Sequence, residues 1–138
     1  MTLETGNVFL LREFDRTGYD PHYRIVVHKT ASQQLVLVYP SRQIEKVRNR
    51  CCRKSPPLPN GAVPPTYVEI PIGACDALPS LCAVDCNKAY IRSEADCING
   101  DDFKPREGKL DPQYLAKIRY GIEHSDDVEE GVIDALSQ

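Results

Sequence analysis

The order of elements along the chain predicts a mainly β (α+β) fold: a small, strongly bent antiparallel β-barrel with helices at its C-terminus. Short apolar segments with strand-like patterns fill the first two-thirds of the sequence, and residues typical of turns separate them. Helical periodicity appears only after residue 110. A chain of 138 residues can bury a sizeable core, so we expect one domain spanning residues 1–138.

The first three strands are predicted at residues 7–11, 23–29 and 35–39, where valine, isoleucine and leucine dominate. Residues 13–23 are polar and rich in turn-forming residues, and residues 30–34 form a short polar turn. Both segments are therefore predicted as connections between neighbouring strands.

Pro40 ends the third strand because it has no N–H to donate to a neighbouring strand. The sequence then predicts a basic and Pro-rich loop at residues 42–65. Three prolines and an Asn-Gly pair in its second part disfavour regular structure. The basic residues of its first part are Arg42, Lys46, Arg48, Arg50, Arg53 and Lys54. Such a run suits a polyanion, although a solvated basic loop after a core strand fits the same pattern.

Strands are predicted again at residues 67–72, by alternation, and at residues 82–91, with a bulge near Asn87 and Lys88. Residues 101–109 read as a charged loop. Helices are predicted within residues 111–138, the first starting with Asp111 as its N-cap and Pro112 in its first turn.

Charge is distributed unevenly along the chain, which carries a formal net charge of -3. Residues 1–60 hold ten Lys/Arg and five Asp/Glu, a balance of +5, whereas residues 61–138 hold seven and fifteen, a balance of -8. The first part thus suits an anionic partner. No apolar run is long enough for a membrane span and no signal peptide is visible, so we expect a cytoplasmic protein without a membrane partner.

Six cysteines are present but no C-x-x-C pair. Without a secretory signal we expect free, mostly buried thiols rather than disulfides, and no metal or other cofactor. A metal site that uses Cys82 and Cys86 remains an alternative, because both sulfurs would lie on one face of a strand.

His22, Arg24 and Ser41 form the candidate reactive group. His22 and Arg24 are two residues apart and share a strand face, and Ser41 follows the next strand. An imidazole, a guanidinium and a hydroxyl suit RNA cleavage, in which the 2′-OH attacks its own phosphate. Each residue taken alone is more often an ordinary surface or turn residue.

Five segments in chain order resemble the MazF/PemK/Kid family of bacterial toxins. They are GNVFLL at residues 6–11, HYRIVV at 22–27, YPSRQI at 39–44, PTYVEI at 65–70 and LPSLCAVDCNK at 78–88. The resemblance implies a Kid/MazF-type, SH3-like barrel, a partner antitoxin in a type II toxin–antitoxin system, and a homodimer. It also implies metal-independent cleavage of single-stranded RNA or mRNA.

By this match Arg24 takes the place of the family's catalytic arginine, and Ser41 that of its catalytic threonine. His22 is a further acid/base candidate. The RNA-guiding residues would be Arg42, Lys46, Arg48 and Arg50.

The chain departs from the family pattern at Ile25, which replaces a proline, at Ser41, and at Asp85 and Asn87, where some members carry an Arg and an Asp. Two other functions are therefore kept open. One is a non-catalytic CcdB-like toxin that inhibits a protein target such as gyrase. The other is a degenerate member that binds RNA or protein without cutting.

Overall fold

The computed structural model describes residues 1–138 and contains eight strands and five helices. The strands are β1 (Asn7–Arg12), β2 (His22–Lys29), β3 (Gln34–Val38), β4 (Pro40–Ser41), β5 (Tyr67–Ile70), β6 (Cys82–Asp85), β7 (Tyr90–Ser93) and β8 (Asp101–Lys109). The helices are α1 (Phe14–Thr17), α2 (Ile44–Arg53), α3 (Glu94–Ile98), α4 (Pro112–Glu123) and α5 (Glu130–Ala135). Short 3₁₀ turns cover Pro59–Gly61 and Cys86–Lys88.

Two antiparallel sheets build the fold. The larger has the order β7-β3-β2-β1-β8, and the smaller has the order β4-β6-β5. The chain passes from one sheet to the other at Tyr39, between β3 and β4, which gives the bent barrel. The predicted α+β fold, with antiparallel strands and C-terminal helices, is confirmed.

Both faces of the central strands β1, β2 and β3 are buried, which explains why these strands appear in the sequence as continuous apolar runs. One face joins a large core shared with the smaller sheet, α4 and α5, and its sheet residues include Val8, Ile25, Val27, Val36 and Val38. The other face forms a second core around Phe9, Leu11, Val26, Leu35, Leu37 and Tyr90.

The prediction of a loop at residues 42–65 is wrong for its first part, because residues 44–53 form α2. Val47 and Cys51, four residues apart, turn one narrow face of this helix inward and are buried. The charged residues fill the rest of its surface, which is why the segment looked like a solvated loop. The Pro-rich part, around Pro59–Gly61, keeps only a 3₁₀ turn.

Two further predictions are corrected. Residues 101–109 form an edge strand, β8, rather than a loop, and its charged side chains are tolerated because only its backbone pairs with β1. Residues 82–91 do not form one bulged strand. The 3₁₀ turn at Cys86–Lys88 separates β6 from β7, which belong to different sheets.

The C-terminal helices begin as local signals dictate. Asp111 caps α4, its Oδ1 accepting the Gln113 N–H at 2.9 Å, and Pro112 occupies the first turn. Ile118 and Ile122 are fully buried. No helix of the protein combines the length and apolar character required to cross a membrane.

Gly121 marks the closest approach of α4 to the barrel. A Cβ at this position would lie 2.5 Å from the Pro65 carbonyl oxygen and 2.7 Å from the Cys86 Sγ. Both neighbours are fixed in place, since Cys86 is fully buried and the Pro65 oxygen is backbone. Glycine at this point is therefore a packing requirement that overrides its low helix propensity.

We predict that Gly121→Ala lowers the free energy of unfolding by about 1–3 kcal/mol, because overpacking outweighs the gain in helix propensity. Urea denaturation measures this change. Gly131→Ala is the matched control: it lies in α5, where a Cβ meets nothing within 4 Å, and its stability should be unchanged or slightly higher. Equal stability of wild type and Gly121→Ala would contradict this packing.

Candidate functional site

A cleft of about 1260 Å³ is lined by residues of both sheets and by the segments that join them. The end of β3 and β4 supply Tyr39, Pro40 and Ser41, and the start of β2 supplies His22. The cleft therefore lies where the chain crosses from one sheet to the other, beside the rigid strand ends.

Two of the three predicted catalytic residues, His22 and Ser41, line this cleft. His22 is exposed at the start of β2, and Ser41 is half-buried at the end of β4. The Ser41 Oγ accepts the backbone N–H of Gln43 at 3.1 Å. Its hydroxyl hydrogen remains available for a ligand, because a hydroxyl can accept and donate at once.

Arg24, the third predicted catalytic residue, does not line the cleft. It is fully buried and lies behind Tyr39, with its Cζ 4.4 Å from that ring's centroid. Its Nε donates to the Tyr90 hydroxyl at 2.8 Å, one Nη donates to the His22 carbonyl at 2.8 Å, and the other donates to Glu13 at 3.0 Å. In this arrangement no face of the guanidinium is open to solvent.

Glu13 is the centre of the charged cluster around Arg24. One carboxylate oxygen accepts from Arg24 and from the Tyr90 hydroxyl. The other accepts from Arg92 at 2.9 Å and lies 3.9 Å from the Nε of Arg16. Burial is the main reason why the pKa of Tyr90 is raised. The hydroxyl therefore stays protonated and donates a hydrogen bond to the Glu13 carboxylate.

The predicted RNA-guiding residues divide between different surfaces. Arg42 and Arg50 line the cleft, whereas Lys46 does not. Arg48 faces a separate groove of about 890 Å³ and pairs with Glu69 at 3.0 Å. The helical conformation of residues 44–53 separates Arg48 from Arg50, because residues two apart on a helix lie roughly 200° apart around its axis.

Arg50 belongs to a polar network at the base of the cleft. Its Nε contacts Asp85 at 2.7 Å, Asn87 donates to Asp85 at 2.9 Å, and Ser125 donates to Asn87 at 2.5 Å. Burial alone would favour neutral Asp85, but the hydrogen bonds from Arg50 and Asn87 outweigh it and lower the pKa of this acid. Arg50 is thus partly committed to a structural pair.

Sequence reasoning missed two cations of the cleft, Arg16 and Lys88. Partial burial, followed by repulsion from Arg50, lowers the pKa of the Lys88 ammonium. Arg16 lay in a segment that looked like a plain loop, and Lys88 in a predicted strand.

Four acids also line the cleft, namely Asp15, Asp85, Asp127 and Glu129, so its charge is mixed. Arg50 neutralises Asp85, and Lys54 pairs with Asp127 at 2.7 Å.

All six cysteines are free thiols, and only Cys52 is exposed. Burial is the main reason why the pKa values of Cys51 and Cys97 are raised to about 12, so both thiols stay protonated at neutral pH. Cys82 and Cys86 are both buried, and no group of three or more metal-ligating side chains is formed.

Comparison with known proteins gives a likeness in structure and none in sequence. No protein-family model matches the chain, and no curated protein does. A solved structure described as an endoribonuclease in complex with its cognate antitoxin, from mycobacterial species, matches 92% of this chain and 97% of its own with a TM-score of 0.50. The two sequences are 14% identical. At this identity the likeness shows a shared fold.

Arg24→Ala should lower the free energy of unfolding by about 3–5 kcal/mol, because it removes the main partner of a buried carboxylate and leaves a cavity. Urea denaturation measures the change. Arg48→Ala is the control, since it breaks only an exposed ion pair with Glu69 and should leave the free energy of unfolding nearly unchanged. If Arg24→Ala were as stable as wild type, the buried cluster would not contribute to folding.

Proposed function

We propose that this protein is the toxin of a type II toxin–antitoxin system and a metal-independent endoribonuclease that cleaves single-stranded RNA. The observation that carries the proposal is the position of His22, Ser41 and Arg42 in one cleft. A fold shared with an endoribonuclease–antitoxin complex supports the same reaction class. The MazF/PemK/Kid resemblance of the sequence adds to both.

The proposed reaction needs no group beyond the side chains of the cleft and the RNA itself. The ribose 2′-oxygen attacks the adjacent phosphorus while a base removes its proton. The bond from phosphorus to the 5′-oxygen breaks, and an acid protonates that oxygen. The products are a 2′,3′-cyclic phosphate and a 5′-hydroxyl.

Each residue has a role that matches its surroundings. His22 is exposed at the cleft wall and serves as acid or base, because histidine is the side chain that most often transfers protons in catalysis. Ser41 donates its free hydroxyl hydrogen to a phosphate oxygen, since the Gln43 N–H already occupies its acceptor side. Arg42 and Lys88 offset the charge that develops on the phosphate.

RNA binding would rest on a few local phosphate contacts, because the cleft carries acids as well as cations. Lys46 and Arg48, which lie outside the cleft, are assigned at most to guiding RNA from a distance. Arg24 can contact an RNA phosphate only after the Glu13 carboxylate has moved away from its guanidinium. We further propose an antitoxin that covers the cleft, a homodimer, and action in the cytoplasm.

The sequestration of Arg24 favours a second candidate, a non-catalytic toxin of the CcdB-like kind or a degenerate RNA- or protein-binding member. An arginine whose three nitrogens all donate hydrogen bonds within the protein acts as a structural residue in this conformation. RNA cleavage distinguishes this candidate from the first.

The test is incubation of the purified protein with a long single-stranded RNA in EDTA, followed by analysis of the product ends. We expect discrete cuts that leave 2′,3′-cyclic phosphate and 5′-hydroxyl ends. His22→Ala should slow cleavage by roughly 10²–10⁴-fold, which is the usual contribution of an acid/base group. Ser41→Ala should also slow RNA cleavage.

Arg42→Ala and Arg48→Ala form a matched pair, because both remove an arginine but only Arg42 lines the cleft. Arg42→Ala should weaken RNA binding and reduce the slope of log affinity against log salt by about 1, whereas Arg48→Ala should change both much less. Intact RNA with folded, antitoxin-free protein would refute the enzymatic function. Salt-sensitive binding without cuts would then indicate the degenerate member.

A further inference from the structure

We propose that Arg16, Arg24, Arg92 and the Tyr90 hydroxyl form a built binding site for a phosphate group, and that the Glu13 carboxylate occupies this site as an internal substitute. The source of the phosphate is the backbone of the RNA, so this identification rests on the proposed function. The anion site itself can be tested without RNA.

The site has the composition of an oxyanion-binding pocket. Three guanidinium groups and one hydroxyl surround a single carboxylate, whose two oxygens share all four partners. Arginine matches phosphate oxygens well, because its planar group presents several N–H donors in a fixed arrangement. A phosphate, with more oxygens and more charge than a carboxylate, would satisfy these donors more fully.

The excess of positive charge is the observation that points to a ligand. One carboxylate would pair with one buried guanidinium, yet three are arranged around Glu13. Arg24 is fully buried, whereas Arg16 and Arg92 keep 41% and 34% of their side chains exposed. The two outer arginines thus reach the solvent side of the site, where an incoming anion would first be met.

The site adjoins the cleft. Arg16 and Tyr90, both in the cluster, also line the cleft wall, together with Tyr39, whose ring covers Arg24. Arg16 lies over the Tyr90 ring, with its Cζ 3.8 Å from the centroid. A phosphate in the cleft is therefore separated from the cluster only by side chains.

Glu13 is placed so that it can leave without disturbing a core. It immediately precedes α1, a four-residue helix in which no residue is buried. Phe14 and Tyr19 beyond it are 63% and 77% exposed and pack mainly on each other. The Glu13 side chain can therefore rotate out of the site and free Arg24, while Arg16 stays over the Tyr90 ring.

The test measures the thermal midpoint of Glu13→Ala in inorganic phosphate and in chloride at equal ionic strength. Phosphate should raise the Tm of this variant saturably, on the order of 5 °C, because a ligand that binds only the folded state stabilises it. Wild type should show a much smaller rise, since its own carboxylate fills this site and only the cleft residues remain for phosphate. The double variant Glu13→Ala with Arg92→Ala should lose most of the response.

Glu94→Ala is the matched control. Glu94 is a buried acid of similar exposure, but it faces one lysine, Lys29, and one backbone N–H, that of Leu3. Its loss should destabilise the protein without creating a phosphate response of the Glu13→Ala size. Glu13→Gln provides a second, isosteric variant in which phosphate should also act, though less strongly.

A variant that is unfolded in chloride but folds in phosphate would support the site. A folded Glu13→Ala protein with equal midpoints in both salts would overturn it, and so would variants that stay unfolded in both. The outcome is separate from that of RNA cleavage. A phosphate response without cleavage would retain the anion site and reject only the nuclease and the RNA source of its ligand.

Discussion

The ion pair between Glu13 and Arg24 is the interaction on which the organisation of this protein depends. It lies on the face of the larger sheet that packs the second core, where Arg24 is opposite Phe9 in the β1–β2 pairing. Placing a guanidinium there has a high desolvation cost, so every one of its neighbours must be an acceptor or an aromatic face. Glu13, Tyr90, Tyr39 and the His22 carbonyl meet that requirement.

The same constraint positions the cleft. Tyr39 stacks on Tyr90 with a centroid distance of 5.4 Å, and this pair separates Arg24 from the cleft. Tyr39 is also the residue at which the chain leaves the larger sheet, directly before Pro40 and Ser41. The packing that stabilises the buried cation therefore also fixes the direction in which Ser41 enters the cleft. Tyr39 thus contributes both to the packing around Arg24 and to the position of Ser41 in the cleft.

The sequence predicted the central strands and the start of α4 because their signals are local: apolar runs, an N-cap aspartate and a first-turn proline. It did not predict α2, where two buried residues out of ten leave a weak apolar pattern, or β8, whose pairing depends on β1 far away in sequence. His22 was found because it shares a strand face with Arg24, and Ser41 because it follows a strand end. The burial of Arg24 was not predicted, because nothing near Arg24 in the sequence indicates that its guanidinium would pair with Glu13, eleven positions earlier.

The charge of the buried Arg24 must be balanced in every conformation that the protein populates, because an unpaired buried charge is costly. Simple withdrawal of Glu13 would leave this charge unpaired at a cost of several kcal/mol, and such a state would be rare. Exchange of one anion for another avoids this penalty, because the new ligand restores the pair as the old one departs. A neutral ligand offers no such compensation. The cluster therefore selects its ligand by charge, and withdrawal of the Glu13 side chain would be driven by the arrival of an anion.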